Sequence, residues 1–445
     1  MTERARSLAR GVVGGWRAPQ HRDGMALVLS SGISSVIGLL FWVLAARMFD
    51  PAVVGVGSAA LSAMTLLGSA AHLNMGNAML RFVPVAGGRA KAIVMGCFAV
   101  GAGVGTVLGL GFAAGAGFWA PELVEGFGYP ALIGFFAVST PIWTLFVLQD
   151  AALTSIRRAD LVLVENAVFA LLKIGMLVLA AVLAVPGGIA VSWVVATVLV
   201  VLVVIGFLAR ALPSGAGRPG EPVTARDLAG FVRADYAGNI FWQAAVFGLP
   251  LVVIALAGAE GAATYGVIWQ IGFGLYLVAI GMGKSMVTHA AGDPTKAERA
   301  RRGMERKALT LIVPAALVIV VAAHPLLSLF GRAYAESGSV LLVLLALSAI
   351  PHVVTASTTW AARIHRNGAV LVGLPAATSV CVITGTVVLV PMIGVAGAGW
   401  AWLGTQSVAA AVILLLRAGR RGRKAPPRHR ATPPPRWARA GGTAS

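Results

Sequence analysis

Long apolar stretches separated by short polar breaks dominate the chain. Several of them exceed about 20 residues, the length at which an α-helix crosses a hydrocarbon core of about 30 Å. Breaks at Gly, Pro and charged residues divide the pattern into twelve candidate spans. The spans cover residues 25–46, 54–82, 92–119, 129–152, 161–184, 188–209, 235–258, 263–289, 309–330, 339–361, 368–390 and 395–416. The pattern predicts an all-α integral membrane protein with about twelve transmembrane helices.

Composition excludes an ordinary soluble protein. Of the 445 residues 58% are hydrophobic and 11% charged, whereas soluble domains carry about a quarter charged residues. The net charge of +19 does not indicate nucleic acid, because the basic residues lie between and beyond the apolar stretches rather than on one folded face. Cys97 and Cys381 both lie inside apolar stretches and form neither a disulfide framework nor a metal set.

The basic residues predict the orientation in the membrane. Of the 35 Lys and Arg residues, 31 fall in the two terminal segments and in alternate loops. Arg47 and Arg332 lie on the opposite side, while Lys173 and Lys284 lie inside spans. Because cytoplasmic loops are enriched in Lys and Arg, we expect a multi-pass protein of the cell membrane with both termini in the cytoplasm. The first stretch is a full-length span and indicates no cleavable signal peptide.

The two halves of the chain resemble each other weakly. Val185–Trp193 corresponds to Val390–Trp400 at an offset of about 205 residues, and Asp50–Gly55 corresponds to Glu260–Gly266 at an offset of 210 to 211. An even number of helices in each half predicts two six-helix lobes related by a pseudo-two-fold axis along the membrane normal. Such a repeat favours transport by alternating access, with a site between the lobes.

These boundaries divide the chain into five parts. We expect a basic cytoplasmic segment at 1–24, an N-lobe at 25–212, a cytoplasmic linker at 213–230, a C-lobe at 231–418 and a basic, proline-rich, disordered cytoplasmic tail at 419–445. The charge of the tail favours a role in retention and topology over a specific partner site.

Polar residues inside spans are candidates for a binding site, because an ionisable group in hydrocarbon costs at least a few kcal/mol. In the fifth span, Asn166 and Lys173 are seven residues apart and share a helix face, with Glu165 beside them. Lys173 lies near the middle of the bilayer, where it cannot easily extend its amine to the surface. It is the strongest candidate for contact with an anionic substrate group.

Four other spans carry polar faces. The polar residues are Asn74, Asn77 and Arg81 in the second span, Asp235, Asn239, Trp242 and Gln243 in the seventh, Gln270 and Lys284 in the eighth, and His352, Thr355, Thr359 and Arg363 in the tenth. For the charged residues near helix ends, extension to the membrane surface is an equal alternative. For the Asn, Gln and Thr residues, the alternative is hydrogen bonding between helices.

Signatures of catalysis are absent from the sequence. Gly283-Lys284-Ser285 looks like the end of a phosphate-binding loop, but Val278 stands where that loop requires glycine. No His and Cys cluster has metal-ligand spacing, and no nucleophile elbow appears. We therefore expect a protein that is not an enzyme and has no cofactor.

Two stretches carry a resemblance to a known family. Leu29–Gly32, with Leu44–Pro51 and Gly55 after it, resembles the opening of polysaccharide exporters, and Asp150–Asn166 resembles their fourth-to-fifth helix connection. These oligosaccharide flippases belong to the multidrug/oligosaccharidyl-lipid/polysaccharide (MOP) exporter superfamily. The resemblance covers about residues 25–417. It implies two six-helix lobes in a V shape that flip an undecaprenyl-diphosphate-linked oligosaccharide to the outer leaflet, for cell-surface polysaccharide biosynthesis.

A substrate of this kind matches the polar residues by position and chemistry. Lys173, Arg81 and Lys284 suit the diphosphate, and amide and indole side chains suit sugars. The predicted sugar contacts are Asn74, Asn77, Asn166, Asn239, Trp242, Gln243 and Gln270. Asp150, Glu165 and Asp235 are candidates for ion coupling. We expect a monomer that contacts the lipid bilayer, the lipid-linked oligosaccharide and other polysaccharide-assembly membrane proteins, without nucleic acid.

Three other functions stay open. A cation-coupled multidrug exporter of the same superfamily would use the carboxylates just named. A carrier of the major facilitator type should have a charged Gly-x-x-x-Asp-Arg loop near Arg81–Lys91, and the sequence lacks it. A membrane glycosyltransferase or polymerase typically needs a large external loop, whereas the loops around Asp50 and Glu122 are short.

Overall fold

The computed structural model describes residues 37–212, 225–290, 294–365 and 367–422. Over these residues the protein is almost entirely helical. The helices are α1 (Ile37–Met48), α2 (Pro51–Ala71), α3 (Met75–Phe82), α4 (Ala90–Trp119), α5 (Pro121–Phe127), α6 (Tyr129–Ser155), α7 (Ala159–Val182), α8 (Gly188–Ala211), α9 (Ala225–Ala290), α10 (Pro294–Val321), α11 (Ala323–Ser328), α12 (Arg332–Ile364), α13 (Gly368–Ile393) and α14 (Ala396–Gly422).

The predicted spans all correspond to helices. Within the described residues, nine helices are long and apolar enough to cross a membrane. One of these, α9, supplies two crossings, because Gly258 has φ 69° and ψ −175° and divides the helix into a first and a second arm. The described part of the first predicted span is the shorter apolar helix α1, and α10 with α11 covers the ninth. The all-α membrane architecture is therefore confirmed.

Successive crossings run in opposite directions and define two ends of the bundle. The Arg47 end comprises the end of α1 at Arg47, helix α5, the Gly258 break and helix α11. The Arg301 end comprises the α6–α7 connection at Arg158 and the start of α10 at Arg301. We refer to helices α1–α8 as the N-lobe and to α9–α14 as the C-lobe.

The internal repeat is visible in the backbone. Gly187 and Gly394 lie 207 residues apart, directly before the last crossing of each lobe, and have φ angles of 64° and 70°. A positive φ costs glycine little, because it has no Cβ. The two turns differ in ψ, which is 22° at Gly187 and −163° at Gly394, so a glycine with positive φ is the feature that they share. Trp400 does not match the inward position of Trp193: it is 50% exposed, and Trp402 is the buried indole of α14.

The two lobes meet along α2 and the second arm of α9. A Cβ on Gly55 would lie 1.7 Å from the Ala259 carbonyl oxygen and 3.0 Å from the Ala263 nitrogen, and a Cβ on Gly266 would lie 2.1 Å from the Ser58 hydroxyl. Residues 55 and 263 differ by 208, as do 58 and 266, an offset between the predicted values of about 205 and 210 to 211. The structure sets Gly55 against Ala263 and not against Gly266, its predicted counterpart. Parallel helices that cross on a two-fold axis bring each residue against its own repeat equivalent, so these contacts agree with a pseudo-two-fold axis at the Arg47 end.

The second predicted span is interrupted. Helix α2 ends at Ala71, and Leu73 and Asn74 have φ angles of 46° and 56° before α3 begins. Asn74 N–H donates to His72 Nδ1 at 3.0 Å, and Asn77 donates to Asn74 Oδ1 at 2.7 Å, so these bonds hold the break. The prediction that Asn74 and Asn77 form one stripe on a continuous helix is wrong, because Asn74 precedes α3.

Three connections predicted as loops contain helix. Helix α9 begins at Ala225, inside the predicted linker 213–230. Helix α10 begins at Pro294, inside the polar segment 292–307, because charged residues three and four apart support the helix. Arg301 bonds Glu298 and Glu305, and Arg302 bonds Glu298. At the Arg47 end, α5 (Pro121–Phe127) occupies most of the predicted connection near 121–129. Hydropathy alone does not detect these short or charged helices.

Candidate functional site

A cavity of about 370 Å³ lies inside the C-lobe. The first arm of α9 and helix α12 form its polar walls, and α13 supplies an apolar wall. A Cβ on Gly238 would lie 2.2 Å from the Leu371 carbonyl oxygen, so glycine lets α9 and α13 approach closely here. The polar and aromatic residues that line the cavity are Asn239, Trp242, Gln243, Phe247, Phe273, His352, Thr355, Thr359, Trp360, Arg363, Thr378 and Gln406.

Helix α12 contributes a continuous stripe to this cavity. His352, Thr355, Thr359 and Arg363 are spaced by three and four residues and all line it, which confirms the face predicted from their periodicity. The stripe covers twelve residues, and its eleven steps of 1.5 Å correspond to about 16 Å along the helix. The cavity therefore extends along the helix axis from His352 toward the Arg301 end.

The inner end of the cavity is a small hydrogen-bonded group. His352 is 5% exposed, and its ring stacks on Trp242 with centroids 5.1 Å apart and planes 18° apart. Gln406 Oε1 lies 3.4 Å from His352 Nδ1 and accepts the Thr355 hydroxyl at 2.8 Å. Within the described residues, His352 Nε2 is buried and has no hydrogen-bond partner. The inner end thus presents an unused polar atom.

The aromatic residues behind this group have satisfied polar atoms. Tyr276 OH bonds the Ser348 hydroxyl at 2.7 Å, and Trp402 Nε1 donates to Tyr265 OH at 3.2 Å. Trp402 and Tyr276 also pack against Trp242 with centroids 6.1 and 6.2 Å away. These contacts hold Trp242 in place beside the cavity.

The outer end of the cavity carries a cation. The Arg363 guanidinium carbon lies 4.2 Å from the centroid of the Trp360 ring, within cation–π range. Arg363 is in the last turn of α12, where a positive charge is favourable because the helix dipole is negative there. The cavity therefore joins an uncharged polar end to a cationic end.

Lys173 lies in the N-lobe, enclosed by aromatic rings. Its Nζ is 4.1 Å from the ring centroid of Trp193, 5.1 Å from that of Phe169 and 5.3 Å from that of Phe41. The residue is 6% exposed. The described residues provide no carboxylate in an ion pair with it. Ring faces attract a cation without cancelling its charge, so Lys173 keeps a net positive charge when it is protonated.

A group of buried polar side chains lies on α6 and α7 of the N-lobe. Glu165 is 5% exposed and faces Asp150 and Gln149. Its two carboxylate oxygens make no hydrogen bond of good geometry with the described residues. Glu165 also lines an apolar cavity of about 310 Å³ between α6, α7 and α8.

The sequence-predicted site residues fall into separate places. Asn239, Trp242 and Gln243 come together in the C-lobe cavity, whereas Lys173, Asp150 and Glu165 lie in the N-lobe. Asn74 and Asn77 bond each other at the α2–α3 break, Asn166 donates to the Val162 carbonyl, and Gln270 is exposed. The side chains of Arg81, Asp235 and Lys284 lie outside the described part of the structure.

The sequence analysis missed Gln406 and Trp360, both of which line the cavity. Gln406 is 1% exposed and follows Trp402 by four residues on α14, so the two share a helix face. A glutamine inside an apolar span was the available signal. Trp360 precedes Arg363 by three residues, and that spacing places a ring beside the cation.

Comparison with solved structures identifies the fold. The chain is similar to a multidrug resistance MATE family transporter of the MOP superfamily in an inward-facing conformation, with a TM-score of 0.68 and 15% identity over 88% of this chain and 96% of that one. It is also similar to the lipid II flippase MurJ in an inward closed conformation, with a TM-score of 0.64 and 11% identity over 88% of this chain and 87% of that one. It is similar as well to an outward-facing MATE transporter, with a TM-score of 0.59 and 17% identity over 88% of this chain and 93% of that one.

No protein-family model matches the sequence, and no curated protein matches it. The identities to the solved structures are low, so the likeness shows the fold alone: the chain has the helical fold of these transporters. This agrees with the predicted superfamily fold. The polysaccharide exporter family itself stays a prediction.

Proposed function

We propose that the protein is a membrane transporter that moves a polyprenyl-diphosphate-linked oligosaccharide from the cytoplasmic to the outer leaflet by alternating access. The C-lobe cavity carries this proposal. Its lining combines an indole face at Trp242, amides at Asn239, Gln243 and Gln406, and a guanidinium at Arg363. Rings and amides suit sugars, and Arg suits phosphate oxygens.

The arrangement of the lobes supports alternating access. At the Arg47 end the lobes are in contact through Gly55 and Ala259 and through Ser58 and Gly266. The higher TM-score to the inward-facing MATE structure than to the outward-facing one agrees with closure at this end. The excess of Lys and Arg in the alternate loops supports a cytoplasmic location of the Arg301 end. Toward the Arg301 end, Tyr236 OH donates to the Ala70 carbonyl, so the described conformation also joins the lobes there.

Lys173 supplies a second cation to the proposed substrate path. Its charge has no ion-pair partner among the described residues, and three aromatic rings have their centroids within 5.3 Å of its Nζ. A phosphate reaches Lys173 when the aromatic rings move apart during the transport cycle. The proposed role is therefore in a later step than the first binding of substrate.

A cation-coupled multidrug exporter is the second candidate. Glu165, Asp150 and Gln149 favour it, because a buried carboxylate with unsatisfied oxygens is a natural acceptor for a proton or a cation. Arg363 lines the C-lobe cavity, and its positive charge disfavours a cationic drug beside it.

The test is depletion of the protein in cells, followed by measurement of polyprenyl-linked oligosaccharide in each leaflet. Build-up in the cytoplasmic leaflet, reversed by the intact chain, supports the proposal. Unchanged lipid-linked sugars together with increased retention of ethidium would contradict it and favour the multidrug exporter. Complementation with Trp242→Ala examines the cavity in the same cells, and we expect it to leave the build-up in place.

A further inference from the structure

We propose that the C-lobe cavity binds one glycosyl phosphate unit with a fixed polarity: the sugar lies against His352 and the phosphate against Arg363. This inference deepens the proposed function, since it names the part of the substrate that the cavity recognises. It assigns His352 as the residue that selects the sugar next to the phosphate. The more distant sugars lie outside this cavity.

The protonation of His352 follows from its neighbours. Two oxygens lie near His352 Nδ1 in the described structure, the Thr355 hydroxyl at 3.3 Å and Gln406 Oε1 at 3.4 Å. The amide oxygen only accepts hydrogen bonds, and the Thr355 hydroxyl donates its proton to that oxygen at 2.8 Å, so both oxygens face Nδ1 as acceptors. The proton of the neutral imidazole is therefore on Nδ1, and Nε2 is left as an acceptor. Because Nε2 is buried without a partner, it requires a donor from the ligand.

A sugar hydroxyl meets this requirement. It donates one proton to Nε2 and can accept from a nearby amide, and Asn239 and Gln243 both present amides to the cavity. Stacking of His352 on Trp242 fixes the plane of the imidazole, so the direction of the Nε2 lone pair is fixed as well. The orientation of the hydroxyl then becomes a condition for binding.

The outer end of the cavity selects an anion. Arg363 is three helical turns from His352, and its guanidinium lies over the Trp360 ring. The planar guanidinium pairs with two phosphate oxygens at once, which a lysine does not do. Inorganic phosphate or a lipid headgroup would meet the same cation, so phosphate binding alone does not identify the ligand.

The volume limits the ligand to one unit. Small-molecule sites have volumes of about 300–1,000 Å³, and the cavity, at about 370 Å³, is at the lower limit. A complete oligosaccharide does not fit in this space. Recognition is then confined to the sugar joined to the phosphate, and sugars further along the chain can vary without loss of binding.

The experiment measures binding to the purified full chain in lipid nanodiscs, by quenching of tryptophan fluorescence. The probes are glucose 1-phosphate, galactose 1-phosphate, N-acetylglucosamine 1-phosphate, the free sugars and inorganic phosphate. We expect at least one sugar phosphate to bind ten-fold or more tightly than its free sugar and than inorganic phosphate. Equal affinity for that sugar phosphate and inorganic phosphate would overturn the inference, and would indicate a simple anion site.

Two variants separate the ends of the cavity. His352→Phe keeps the stacked ring and removes the acceptor. We therefore expect it to lower the affinity for the sugar phosphate ten-fold or more and to leave the affinity for inorganic phosphate unchanged. His352→Gln places an oxygen near the position of Nε2, and we expect it to restore part of the affinity. Arg363→Gln should lower the affinity for the sugar phosphate and for inorganic phosphate and leave the affinity for the free sugar unchanged. Wild-type sugar-phosphate affinity in folded His352→Phe would contradict the inference.

The failure of this inference is distinguishable from failure of the proposed function. Thermal melting of each variant reports whether it is folded, and Arg332→Gln, at the other end of α12, is the matched control for Arg363→Gln. Selective sugar-phosphate binding without leaflet build-up in depleted cells would retain the cavity assignment and reject the flippase. Leaflet build-up that folded His352→Phe corrects fully would retain the flippase and reject the assignment.

Discussion

Arg47 Nε donates to the main-chain carbonyl oxygen of Leu329 at 2.7 Å, and Nη2 of the same side chain donates to the carbonyl of Ser328 at 2.8 Å. These carbonyls are at the end of α11, where helix oxygens have no partner inside the helix and carry a partial negative charge. One arginine of the N-lobe therefore caps a helix of the C-lobe. The two bonds join the lobes at the Arg47 end.

Replacing Arg47 by Ala should open this end of the protein. Loss of the two bonds favours the state in which the lobes separate, and each charged hydrogen bond contributes about 1.5–3 kcal/mol before solvent screening is considered. The measurement is maleimide labelling of Ser58→Cys, which is 3% exposed in the closed contact, in a chain with both native cysteines replaced by Ala. We expect several-fold faster labelling in Arg47→Ala. Arg332→Ala, exposed at the same end, is the control, and equal rates in both variants would contradict the prediction.

Gly55→Ala should prevent the lobes from closing. Its Cβ would lie 1.7 Å from the Ala259 carbonyl oxygen, which is backbone and cannot move aside alone. Overpacking of this kind costs about 1–3 kcal/mol, so we expect a lower melting temperature or a shift to the open state. Gly103→Ala is the matched control, because a Cβ there meets nothing within 4 Å. The prediction fails if both variants melt and label as the unmodified chain does.

Replacing Lys173 by Met should abolish export while the protein still folds. Methionine fills a similar volume among Phe41, Phe169 and Trp193 and removes only the charge, which in the interior of a lobe costs free energy to retain. We expect equal or greater thermal stability together with build-up of lipid-linked oligosaccharide in the cytoplasmic leaflet. Normal export in Lys173→Met or in Lys173→Ala would reject the phosphate-binding role.

Acid should weaken the start of α10. Hydrogen bonds from Arg301 and from Arg302 lower the pKa of Glu298 to about 2, from an ordinary value of 4.5. A carboxylate with a depressed pKa stabilises the folded state above about pH 4.5, and this stabilisation is lost as the pH falls toward 2. Glu298 is half exposed, so the effect is small. We expect the melting temperature of the unmodified chain to fall more between pH 6 and pH 3 than that of Glu298→Gln, with Glu260→Gln as the control.

Periodicity was sufficient to predict the α12 side of the cavity. His352, Thr355, Thr359 and Arg363 recur every three or four residues in an otherwise apolar span, and a helix places such residues on one face. Gln406 has no polar neighbour at helical spacing on α14, so only the tertiary packing of α12 against α14 reveals its role.

The surroundings of Lys173 could not be predicted from its own span. Its three ring partners come from α1, α7 and α8, and only Phe169 is near it in sequence. The break at Leu73–Asn74 was missed for a different reason. Asparagine tolerates the left-handed conformation, but residues 73 and 74 are neither glycine nor proline, and the spacing of Asn74 and Asn77 also fits a continuous helix.

The contact of residues 55 and 58 with 263 and 266 is self-complementary, since each side presents the repeat copy of the other. A surface of this kind is the one by which two identical subunits pair about a two-fold axis. Two identical six-helix halves would pair through the same positions of this helix. Fusion of two halves into one chain keeps that pairing and frees each half to change alone. Accordingly, one lobe has Lys173 among its rings and the other has His352, Gln406 and Arg363.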